Sequence, residues 1–92
     1  MENTENITLV SGIFEAEDAR DILLTLITNN INFHTLRSFS AQERFGVSDC
    51  VSERQIKELS KARVEVLDEL SLAKSLGCKI SVDSIIRIQL LP

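Results

Sequence analysis

The chain has 92 residues, 43% of them apolar, and a net charge of −4. That length sets the expectation of one small domain over residues 1–92 with a thin core, and four Phe with neither Trp nor Tyr leave that core to Ile, Leu and Val. The acidic balance argues against general nucleic-acid binding, which draws on a basic surplus, and the longest apolar run is too short to span a bilayer.

Residues 1–5 are polar and acidic and read as a frayed terminus, not a signal peptide. Ile7 to Phe14 alternates as a strand, with Ile7, Leu9, Ser11 and Ile13 on one side and Thr8, Val10, Gly12 and Phe14 on the other. Glu15, Glu17, Asp18 and Asp21 then cluster where a helix should begin, which suits the helix dipole. Ala16, Ala19, Ile22, Leu23, Leu26 and Ile27 form its apolar stripe to about Thr28. Asn29-Asn30 reads as its C-terminal end, because Asn tolerates the left-handed conformation. Ile31 to Phe39 reads as a second strand, which makes the first three elements a βαβ unit with parallel strands.

Residues 40–51 leave two readings open. Either Ala41 to Phe45 is a short antiparallel strand with Gly46 at its turn, or the segment is a loop pinned by Phe45 and Val47. Ser52-Glu53-Arg54-Gln55 matches a capping box and starts a long helix at about Ser52. Its stripe is Ile56, Leu59, Val66, Leu67, Leu70 and Ala73, and it ends at Leu76 before Gly77. Lys79 to Leu91 alternates again, with Ile80, Val82, Ser84, Ile86, Ile88 and Leu90 on one side. The long helix and this strand have matching lengths. The reading lays one along the other and buries Val66, Leu67 and Leu70 against Ile86 and Ile88.

The order β-α-β-(β)-α-β resembles a ferredoxin-like sandwich. The expected fold is therefore α+β, in two layers: a mixed sheet of three or four strands with two helices on one face. The resemblance is one of topology and carries no function.

No catalytic, metal or cofactor signature rises above background, so no cofactor and no metal is expected. His34 is the one histidine, and Arg37 and Arg44 lie near it in sequence. Arg44 beside the start of the long helix suggests an anion site, so His34, Arg37 and Arg44 are the candidate ligand-binding or catalytic group. Cys50 and Cys78 lack metal-ligand spacing and read as reduced, partly buried thiols of a cytoplasmic protein. The sheet face without helices carries Val10, Phe14, Leu36, Ile85 and Arg87 among polar residues, and is the candidate interface. The function expected on these grounds is a small, non-catalytic interaction or regulatory module. Its expected partners are a second copy in a homodimer, or another protein, with no nucleic acid and no membrane. The alternative is a small ligand-binding or catalytic domain at His34, Arg37 and Arg44.

Overall fold

A computed structural model of the chain describes residues 3–92. The elements run β1 (Thr4–Phe14), α1 (Ala16–Phe45), α2 (Cys50–Leu76) and β2 (Ile80–Gln89). The order is thus β-α-α-β, with one two-stranded antiparallel sheet. The ferredoxin-like sandwich, its third and fourth strands and its parallel βαβ unit are all absent from the described residues. The expected strand at Ile31 to Phe39 and the alternative strand at Ala41 to Phe45 both lie inside α1. Of the expected frayed terminus, Thr4 and Glu5 belong to β1, while Met1 and Glu2 lie outside the described residues.

Asn29-Asn30 does not stop the helix because both ends of the presumed break find helical bonds. Asn30 Nδ2 donates to the Leu26 carbonyl at 2.8 Å, and Thr35 Oγ1 donates to the Ile31 carbonyl at 2.8 Å. Each is a side-chain bond one turn back along a continuous helix. The stop comes at Gly46, at φ 75°, whose N–H donates to the Gln42 carbonyl. Gly77, at φ 69°, ends α2 with a Schellman pattern: Cys78 N–H reaches the Ala73 carbonyl at 2.9 Å and Gly77 N–H that of Lys74 at 3.2 Å.

α2 starts two residues before Ser52, and the cap is Asp49. Its Oδ1 accepts from the Val51 and Ser52 amides at 3.0 and 3.2 Å. The Ser52 hydroxyl faces α1 instead and makes no cap. For α1, Glu15 supplies the extended N-cap backbone, and Glu17 and Asp18 sit in its first turn, where the dipole favours them.

The ribbon pairs Phe14 with Ile80, Gly12 with Val82, Val10 with Ser84, Ile7 with Ile86 and Glu5 with Ile88, with an irregularity at Leu9 between Thr8 and Val10. That extra residue lets Val10 and Ile7 share one face, because a bulge shifts the alternation by one. The core is a single small cluster. Ala19, Leu70 and Val82 are buried, and Val10, Phe14, Leu23, Val66 and Ile80 pack around them. It joins the base of the helical hairpin to the ribbon half nearest the helices. Ile86 and Ile88 are not buried against α2, contrary to the sequence reading, because α2 does not run along β2. The helices meet the ribbon at its inner half and then diverge from it. The molecule is correspondingly flat and spread, 50 × 36 × 15 Å, with a radius of gyration of 16.5 Å.

Candidate functional site

At the far end of the hairpin, where α1 meets the first turn of α2, the seam between the helices turns polar. Continuing from Leu23 and Ile27, the α1 seam reaches His34 and Ser38. From α2 it meets Ser52 and Glu53. The His34 Nδ1 lies 3.2 Å from Ser52 Oγ. Ser38 Oγ donates to Glu53 Oε1 at 2.6 Å. Arg37 Nε donates to Asp49 Oδ2 at 3.2 Å. The Phe33 ring meets the His34 ring edge-on at 5.1 Å between centroids. Buried polar side-chain atoms among the described residues all find partners, as a stable low-dielectric seam requires.

Asp49 is the hub of this end. Its carboxyl is held below the usual aspartate range, first by the Ser52 amide and then, against some burial, by the Arg37 guanidinium and the Val51 amide. Since Asp49 fills the α2 N-terminus, the place expected for an anion is taken by the chain's own carboxylate.

A serine beside a histidine at this distance is the pattern of an activated nucleophile. Here Ser52 is only 1% exposed, so no substrate carbon has a path to its hydroxyl. The nearby acid, Glu53, accepts from Ser38 and not from the imidazole. The geometry is that of a clip between two helices.

The structure therefore places His34 and Arg37 side by side on α1 and gives each a partner on or beside the first turn of α2. Arg44 lies further along α1, exposed, in its last turn. The candidate interface residues do not share one face. Val10 and Phe14 pack on the core, on the ribbon side turned to the helices, whereas Ile85 pairs with Thr8 on the opposite side. Arg87 shares that opposite side with Asn6. Leu36 lies on α1, 67% exposed. Both cysteines are free and exposed, not partly buried.

Two features were missed in the sequence. The first is the Asp49 cap, which competes with the Ser52 capping box and was legible as an Asp directly before the helical stripe. The second is a pair of uncovered apolar faces. Beyond the core, the helix-facing side of the ribbon continues as Ile7, Ile86 and Ile88, at 44, 40 and 44% exposure. Along α1, the row that begins at buried Ala19 continues as Ile22, Leu26, Asn29, Phe33 and Leu36 in alternating steps of three and four.

The surface hollows described are open to solvent. One, of about 400 Å³, lies between the helices and is lined by Arg20, Lys74, Glu17 and Asp21 over Leu67 and Leu70. Its charges are balanced and favour no ligand of one sign. Among the described residues no group of His, Cys, Asp and Glu could hold a metal ion, and no helix is long and apolar enough to cross a membrane. No protein-family model, curated protein or solved structure matches the chain.

Proposed function

We propose that this chain is a small, non-catalytic interaction module that works as a self-associated pair in the cytoplasm. The observation that carries the reading is surface area. A chain of 10.3 kDa that folds by itself into a globule exposes about 5,400 Å². This one exposes 7268 Å². The surplus is about 1,900 Å² per chain, against about 800 Å² per partner in a standard interface. The radius of gyration, 16.5 Å, likewise exceeds the roughly 12 Å of a globular domain of this length. A second copy supplies the missing cover without any new sequence, and two-fold pairing is the commonest closed arrangement. The non-catalytic part of the reading is supported by the hydrogen-bonded, buried state of Ser52 beside His34. Two exposed thiols suit a reducing compartment.

Light scattering on the purified chain at micromolar concentration tests this. The expected result is twice the chain mass of 10.3 kDa. A mass equal to that of one chain overturns the reading.

A further inference from the structure

We propose that the two copies pair by a reciprocal exchange of cover. The outer half of each ribbon lays Ile7, Ile86 and Ile88 on the Leu26, Phe33 and Leu36 row of its partner's α1. The inference rests on the self-association argued above and specifies its surface.

Within one chain, the ribbon's helix-facing side already packs on this helix: Val10 and Val82 of the ribbon meet the Ala19 and Leu23 turn of α1. Both surfaces then run on past the contact: the helix row is half-buried at Ile22 and Leu26 and exposed beyond Asn29, and the ribbon is exposed from Ile86 outward. The ribbon continues as isoleucines, with Glu5 the one charge on that side of its outer half. The helix row continues through Phe33 and Leu36, 56 and 67% exposed. One chain thus carries an uncovered ribbon face and an uncovered helix row of the same kinds that pack together in its own core. A two-fold axis brings each to the other and makes the contact twice, as an isologous interface requires.

The opposite side of the ribbon is a poor alternative. It shows Thr4, Asn6, Thr8, Ser11, Ser81 and Asp83, and Ser11 Oγ donates to Asp83 Oδ1 at 3.1 Å across it. Ile13 and Ile85 are isolated there among polar groups, which is ordinary for a solvated face. A membrane surface is a poor occupant of the apolar side as well, because anionic lipid attracts basic segments and this chain carries −4.

The test needs no variant that must fold as a monomer. A one-to-one mixture of isotope-labelled and unlabelled wild-type chain is equilibrated, and NMR contacts between different copies are selected. Contacts from the Ile86 and Ile88 methyls to the Phe33 ring and Leu36 methyls are expected. In parallel, Ile86→Lys and Leu36→Lys should each weaken the dimer by about thirtyfold or more, the effect of removing a central anchor. Ile85→Lys, one residue away on the other side, should leave the dissociation constant within about threefold. A dimer whose inter-copy contacts come from Ile13 and Ile85, or one weakened only by Ile85→Lys, overturns this surface and leaves self-association standing. A monomeric wild-type chain overturns both.

Discussion

Asp49 does two things with one carboxylate: it caps two amides of α2, and it pairs with Arg37 and so ties the hairpin turn to α1. Its lowered pKa fixes the sign of the acid response. A carboxyl that gives up its proton more readily in the folded state stabilises that state at pH values above the unfolded aspartate's, about 3.9. The stabilisation is lost as pH falls through the folded value. Asp49→Asn, which keeps the capping acceptor but not the charge, should flatten that part of the acid-unfolding curve while remaining more stable at neutral pH than Asp49→Ala. Amide hydrogen exchange at Val51 and Ser52 reads the cap directly and should quicken most in the alanine variant. Ser52 is the second informative residue. Ser52→Ala removes the partner of His34 and should cost about 0.5–1.5 kcal/mol, measured by urea unfolding at fixed protein concentration. No lengthening or shortening of α2 should accompany it, because Ser52 is not the cap.

The sequence is most readable at the level of elements where apolar spacing is unbroken. α2 is the clearest, with Ile56, Leu59, Val66 and Leu70 on one stripe and Gly77 after it; its C-terminal stop was legible, and its start to within two residues. β1 and β2 were legible as strands from alternation, but the bulge at Leu9 moves Ile7 to the face of Val10, opposite to the side that simple alternation gives it. α1 was not, beyond Thr28. Its seam towards α2 changes there from Leu23 and Ile27 to His34 and Ser38, so the helical period continues in shape but not in hydropathy. The β-branched and aromatic residues of Ile31 to Phe39 then imitate a strand, and tertiary pairing with Ser52 and Glu53 decides the matter. The same polar seam explains why the contacts of the candidate group were not legible: His34 and Arg37 both lie on α1, while their partners Ser52 and Asp49 lie on or beside the first turn of α2. Two predictions belong here. Leu70→Ala should cost about 2–5 kcal/mol, because Leu70 is one of the three buried apolar residues among those described. Gly77→Ala should cost about 1–2 kcal/mol, since a Cβ is disfavoured at φ 69°, although nothing stands near it in space. Both are read as shifts in chemical denaturation midpoint.

At the scale of the whole molecule, the wrong expectation was a sandwich, and its source was the strand read at Ile31 to Phe39, which lies inside α1. Nothing in the strand or helix periods says which copy of a chain provides the cover. If the cover is shared, folding and pairing are one equilibrium, and the melting temperature should rise with protein concentration. Calorimetry over a hundredfold dilution series checks this; a midpoint that stays fixed contradicts coupled folding and pairing.

The pairing of β1 with β2 has a consequence for the order of events during synthesis. Thr4 pairs with Gln89 at the far end of β2, so β1 is made well before its partner and waits while both helices are synthesised. The helical hairpin, whose contacts are closer in sequence, has time to close while β1 is still a lone strand with both edges open. Contacts so distant in sequence form late, and an unpaired strand is the element most prone to join another chain. Two nascent chains translated side by side on one message therefore have, in β1, both a hazard and a means of meeting. Slowing translation over the codons for α2 should lengthen that exposure and raise the insoluble fraction.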